Sequence, residues 1–309
     1  MKSFALHAGI LVVLFALQFV LPPYHHSNAA RIMVYAILAV GYNVLFGYTG
    51  LMSLGHAMFF AAGAYGAGLG IFWLGLTPLA GLGLGIASGF TVSAIAGALL
   101  IRSTGVAFLI VTLMLAQAFF LSILYFNTIT FGDQGLVLTQ LAPIGPFALS
   151  EPWVKYNLAL LSLAVALCVS LWVSQSAFGK VLVAIRENEP RTRMLGYETS
   201  LYRFAALMIS GTLSSLSGAL YCLLFSYVGA SFASLQYSTF PLLWTLLGGA
   251  GTVIGPLIGT GLMFYLTDIS SGYTSSYLLV VGFALVALTL WFPKGIAGML
   301  RARFFPWLP

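Results

Sequence analysis

Two stretches without a charged side chain decide what this chain can become. Ile32 to Ile101 carries no Asp, Glu, Lys or Arg, and neither does Phe204 to Thr267. About 20 apolar residues of helix cross a bilayer, so each stretch has room for more than one crossing. Charged residues are 6% of the chain, against about 25% in soluble domains. The apolar runs are too long and continuous for the alternation of a β-barrel. The sequence predicts an all-α, polytopic membrane protein. It forms one transmembrane domain over 1–309, with about eight to ten helices and broken or re-entrant glycine-rich segments. The net charge of +6 comes from basic loop residues and implies the bilayer, not nucleic acid, as partner.

The spans can be read in order. Phe4–Leu21 is longer than the 7–15-residue core of a secretory signal and is expected to be retained. Pro22-Pro23-Tyr24-His25-His26 is expected to break it before a short polar loop. Further spans are predicted at Ile32–Phe46, Leu79–Ile101, Val106–Phe126, Tyr156–Val173, from Arg203 to Tyr227, and Tyr277–Phe292, the last stopping at Pro293. The longest loop, about 127–153, contains Gly132-Asp133-Gln134-Gly135 and two prolines, Pro143 and Pro146. Cys168 and Cys222 fall in different spans and read as inert packing residues.

Glycine punctuates the chain twice. Gly47–Gly70 holds glycine at 47, 50, 55, 63, 66, 68 and 70. Such density permits close helix approach, as in Gly63/Ala67, Gly66/Gly70 and Gly81/Gly85/Gly89, and also a broken helix. The second punctuation is Gly248-Gly249-Ala250-Gly251-Thr252, where two half-helices are expected to meet as a re-entrant hairpin. Paired interrupted segments are a pointer to a translocation pathway.

Between them lies Ser176–Arg203, with eight of the eighteen charged residues: Lys180, Arg186, Glu187, Glu189, Arg191, Arg193, Glu198 and Arg203. Val181–Arg186 reads as a continuation of the preceding helix. Asn188 or Glu189 can cap a new one, Pro190 fits its first turn, and Gly196 stops it. Met194 and Leu195 form an apolar knob. Placing this segment in the cytoplasm puts ten of the twelve Lys and Arg inside, leaving Arg31 and Lys155 outside, with both termini cytoplasmic. Trp73, Trp153, Trp172 and Trp291 sit near span ends, as interfacial anchors do.

AIRENEPRTRMLGYETSLYRFAALMISGTLSSLSGALY, over 184–221, resembles the cytoplasmic loop and following helix of permease subunits of branched-chain amino-acid ABC importers. So do Gly41–Tyr65, Phe108–Gln117 with the Gly-Asp-Gln-Gly loop, Leu246–Gly259 and Trp291–Leu300, in matching order from Ile32 to Leu300. The match departs at Thr192, where that family often has alanine. The resemblance implies an importer permease fold and an ATPase-coupling helix at Arg186, Glu187, Asn188, Glu189, Pro190, Arg191, Arg193, Leu195 and Gly196. Asn43, Gly50, Ser53, His56, Gln117, Gly248, Gly249, Gly251 and Thr252, in the matching blocks, become candidates for the pathway. It also implies a sister permease, two cytoplasmic ATPases, a periplasmic solute-binding protein and the bacterial inner membrane.

The chemistry fits a transporter better than an enzyme. No GxxxxGK[ST] is present, so ATP-Mg is expected on partner subunits, with no cofactor or metal on this chain. Ser53 and His56 lie three apart on one segment without a G-x-S-G, which suits bracing rather than nucleophilic catalysis. Half-helix N-termini near Gly50–Ser53 and Gly251–Thr252 are expected to offer N–H groups to a carboxylate. The charge-free tracts hold no Asp or Glu for an ammonium, which weighs against an ion-coupled carrier. Branched-chain amino acids are the expected solute, with urea or short amides as the alternative.

Overall fold

The computed structural model describes residues 2–139, 141–143, 147–292 and 294–303. Pro146 and Pro293, the latter the expected stop of the last span, lie outside the described residues. The helices are α1 (Lys2–Leu17), α2 (Pro23–Thr49), α3 (His56–Leu74), α4 (Pro78–Leu100), α5 (Gly105–Tyr125), α6 (Asn127–Thr130), α7 (Pro152–Gln175), α8 (Ala177–Met194), α9 (Thr199–Phe225), α10 (Leu235–Gly248), α11 (Gly255–Tyr273), α12 (Tyr277–Trp291) and α13 (Ile296–Arg303). Seven among the described residues are long and apolar enough to cross a membrane: α2, α3, α4, α5, α7, α9 and the segment beginning with α12. The 16-residue α1 and the pair α10–α11 make up the difference from the eight to ten expected.

Two boundaries differ from the sequence reading. The second span begins at Pro23, not Ile32, so His25 to Asn28 are helical rather than a loop. Pro22 is extended and Pro23 sits at the helix start, where a missing N–H costs nothing. Val181–Arg186 does not continue α7. That helix ends at Gln175, and Ser176 caps a fresh one by accepting from the Gly179 amide at 3.2 Å.

The bundle is built around α9, which packs along α2, α3 and α4; α3 also packs along α4, and α2 along α7. Small residues let the backbones touch. A Cβ on Gly218 would sit 1.9 Å from the Phe60 carbonyl oxygen, and one on Gly63 2.0 Å from that of Ser215. Gly85 and Gly89 turn the GxxxG face of α4 onto α9 in the same way, against Ala219 and Ser215. Close approach of this kind substitutes for a hydrophobic drive that lipid cannot supply. Hydroxyls then reach carbonyls on other helices, as Ser217 does to Val34 at 2.6 Å and Ser215 to Gly85 at 2.8 Å.

Helices α10 and α11 form an antiparallel hairpin. Gly248 faces the Gly255 carbonyl and Gly259 faces that of Trp244, so the two chains run in opposite directions in close register. At 14 residues α10 is about 21 Å long, short of the ~30 Å hydrocarbon core. The hairpin apex lies beside Gly47 and Arg186, at the end of the bundle that carries α8. The far end of α11 reaches the start of α2, where Tyr24 donates to Asp268 at 2.9 Å. A two-residue antiparallel pairing, Leu136–Val137 with Tyr227–Val228, pins the long loop at that opposite end.

Candidate functional site

The two glycine breaks are far apart in sequence and touch in space. Helix α2 ends at Thr49, with Gly50 in the left-handed region at φ 75°. Helix α10 ends at Gly248, and Gly249 and Gly251 have φ of 116° and 78°. Asn43, fully buried one turn before Gly47, joins the two breaks. Its Nδ2 donates to the Thr252 carbonyl at 2.9 Å, and its Oδ1 accepts from the Gly251 amide at 2.8 Å. One side-chain amide therefore satisfies both a donor and an acceptor of a backbone that left its helix. A Cβ at Gly47 would stand 2.6 Å from the Gly251 nitrogen.

Arg186 completes this node from α8. The Gly47 carbonyl is one of the last four of α2 and has no helical partner. Arg186 Nη1 donates to it at 2.7 Å, placing a cation where the helix dipole is negative. The Arg186 stem lies across Gly50, where a Cβ would meet Cγ at 2.8 Å. Its Nη2 pairs with Glu187 at 2.9 Å. Arg186 thus faces the breaks, whereas the sequence reading grouped it only with the partner-facing residues.

Most amides of the two breaks find acceptors within the chain. Gly50 donates to the Phe46 carbonyl, Leu51 to Thr49 Oγ1, Ser53 to the Tyr42 hydroxyl, Leu54 to Thr112 Oγ1 and Gly55 to Ser53 Oγ. In the second break Gly251 donates to Asn43, Thr252 to the Gly249 carbonyl and Gly255 to Thr252 Oγ1. The expected N–H cradle for a carboxylate is not formed by these amides, which are turned inward onto the chain's own acceptors, although Gly50, Met52 and Ala250 stand at the surface.

His56 is a brace of the same kind. It is fully buried between α2, α3 and α9. Ser210 spends its proton on the Gly41 carbonyl at 2.6 Å, so it accepts from His56 Nε2 at 2.7 Å. Ser53 accepts from the Gly55 amide and donates to His56 Nδ1 at 3.2 Å. Every polar atom of the chain Gly41–Ser210–His56–Ser53–Gly55 is engaged, and the neutral ring is the form that fits. Gln117 lies elsewhere, exposed on α5.

At the charged end, α8 kinks at Asn188, whose φ of −161° and ψ of 94° leave the helix. Its Oδ1 accepts from the Arg191 amide at 2.9 Å, so Asn188 is the cap of a short helix over Glu189–Met194. Leu195 closes it, and Gly196 turns away at φ 91°. The side chains sort into two sets. Glu189 accepts from Arg193 at 3.1 Å, Thr199 at 2.9 Å and Arg203 at 3.4 Å, and so holds the short helix onto the start of α9. Buried Arg203 also donates to the carbonyls of Ile101 and Ser103 in the α4–α5 turn. Thr192 is buried and donates to the Asn188 carbonyl at 3.0 Å, so its hydroxyl supports the kink. The other set, Arg191, Met194 and Leu195, points outward, with Met194 81% and Leu195 70% exposed.

Arg203, Ser210 and Thr112 escaped the sequence reading as members of these networks. Arg203 was visible as a charge, but two of its partners, the carbonyls of Ile101 and Ser103, lie about one hundred residues away at the α4–α5 turn. Ser210 and Thr112 carried no signal beyond a polar atom on an apolar helix.

A multi-pass helical protein with interlocked broken helices and a braced, solvent-facing helix at one end belongs to the class of membrane permeases. Comparison with known proteins narrows this. Residues 26–290 match the family described as branched-chain amino acid transport system / permease component. The high-affinity branched-chain amino acid transport system permease protein LivM of Salmonella typhimurium is 28% identical over 329 aligned residues, covering 96% of this chain and 75% of that protein. LivM of Escherichia coli K12 is 27% identical with the same coverage. LivH of Salmonella typhimurium, a permease protein of the same description, is 25% identical, covering 85% of this chain and 91% of that protein. No solved structure matches the chain. The chain belongs to the branched-chain amino acid transport system permease family.

Proposed function

We propose that this chain is the membrane subunit of an ATP-driven importer of branched-chain amino acids, working beside a sister permease of the LivH kind. Two cytoplasmic ATPases supply ATP-Mg, and a periplasmic binding protein supplies the solute. The sequence has no nucleotide-binding motif of its own, which is why the engine is placed on other chains. The charged end faces the cytoplasm of a bacterial inner membrane, with both termini inside. Arg102, Lys180, Arg186, Arg191, Arg193, Arg203, Lys294 and Arg301 support this, against Arg31 and Lys155 at the other end.

The observation that carries the reading is the Arg186–Gly47 hydrogen bond. It stands two residues before the kink at Asn188 and ties the short helix to both breaks. ATPase closure pushes on Arg191, Met194 and Leu195. Glu189, Arg193 and Arg203 make the short helix move as one piece with α9. Arg186 carries the displacement into Gly47–Ser53 and, through Asn43, into Gly248–Thr252. The backbone there is closed, so loosening Asn43 and Arg186 is the step that opens it to solute.

Purification of the tagged chain from its own membranes tests the assembly. Two ATPases and a LivH-like chain should accompany it, and leucine uptake in proteoliposomes should require ATP and the binding protein. Uptake by this chain alone under a proton or sodium gradient would replace this reading with a secondary carrier.

A further inference from the structure

Arg31 and Lys155 are the two basic residues at the end of the bundle opposite α8, and both lie in or at membrane helices. A cation there works against the usual charge distribution, and an ionisable residue within a span calls for a partner. Among the described residues neither has a carboxylate partner. Asp268 at this end is taken by Tyr24. Instead the two cations stand within electrostatic reach of each other, from α2 and the adjoining α7. Arg31 Nε is buried and has no hydrogen-bond partner among the described residues. One turn earlier on the same face of α2, Asn28 is 8% exposed, and its Nδ2 likewise lacks an acceptor. Buried donors are costly to leave without an acceptor. Two unpaired donors on one face of α2, with the Lys155 ammonium on the helix packed beside it, define a site for an anion with two or more acceptor oxygens.

The surroundings narrow the anion. Arg31 Cζ lies 4.8 Å over the Phe225 ring. The next turn of α2 presents Tyr35, stacked on Tyr221 at 5.5 Å and 5.4 Å from Trp244. Tyr237 stands in reach of Arg31's charge. Aromatic faces attract an ammonium and accept an aliphatic side chain. From this juxtaposition we infer that Asn28, Arg31 and Lys155 bind the carboxylate of a free amino-acid solute as it enters the permease, with the Tyr35–Tyr221–Trp244 wall receiving its ammonium and side chain. The inference rests on the proposed import of branched-chain amino acids. It supplies the ammonium partner that the charge-free tracts lack.

The test uses the whole transporter in proteoliposomes with internal ATP, measuring uptake of radiolabelled leucine at saturating binding protein. Capture of the leucine-loaded binding protein on immobilised transporter is measured in parallel. Arg31→Gln should lower uptake at least tenfold with capture within twofold of wild type, and Arg31→Lys should recover part of the loss. Asn28→Ala and Lys155→Gln, milder changes, should each lower uptake severalfold in complexes that purify intact. Unchanged uptake in Arg31→Gln and Lys155→Gln would overturn the site. A fall in uptake matched by an equal fall in capture would also overturn it, by assigning the cations to an acidic residue of the docking protein. Failure of the wild-type transporter to take up leucine would refute the import reading itself, independently of the variants.

Discussion

Asn43 shows how much one side chain can hold. Its two bonds close a corner that no helix closes, the one to Thr252 buried and the one from Gly251 half-buried. Asn43→Ala leaves the buried Thr252 carbonyl and the half-buried Gly251 amide unpaired, at about 2 kcal/mol for the two. We expect thermal unfolding in detergent to shift down accordingly, whereas a shift no larger than that of a surface substitution would remove the clamp. The same scale explains His56. A buried histidine beside serine suggests chemistry, but the donors and acceptors are paired one for one, and the residue braces α2 to α9.

At the scale of elements, the short helix over Glu189–Met194 has a bound side and an open side. Glu189→Ala removes the carboxylate that buried Arg203 faces. The cost should be about 2 kcal/mol, less than for a fully buried pair because Glu189 is partly hydrated. Met194→Asp with Leu195→Asp alters only exposed side chains and should change stability by less than about 0.5 kcal/mol. It should nonetheless abolish capture of the ATPases. Equal stability losses in both variants would erase the distinction between the two sides. The hairpin is tested by Gly259→Leu. A Cβ there meets the Trp244 carbonyl at 1.9 Å, so α10 and α11 must part. The expected loss is about 3 kcal/mol, read as a lower unfolding temperature.

The whole molecule was legible in the sequence as a helical membrane protein with a charged island between two glycine breaks. Charge-free tracts mark membrane helices because a bilayer admits little else. Asn188, Pro190 and Gly196 marked the short helix because caps and stops act within one turn. What was hidden is what lies between distant segments. Nothing near Gly47 announces that its carbonyl meets Arg186, or that Asn43 meets Gly251, because tertiary closeness has no local signal. The span start at Pro23 was missed because polar His25 and Asn28 read as loop, although a proline pair opens helices readily. The amide donors of both breaks were expected to be free for the same reason: their acceptors, Tyr42, Thr112 and Asn43, sit on other turns and helices.

The connection from partner-facing helix to glycine breaks is the centre of the account, and Arg186 is its narrowest point. The direct measurement is the ratio of leucine imported to ATP hydrolysed by the whole transporter in proteoliposomes, for wild type and Arg186→Ala. The variant is expected to keep at least half of the hydrolysis rate while importing less than a tenth of the leucine. A variant with the wild-type ratio would contradict it.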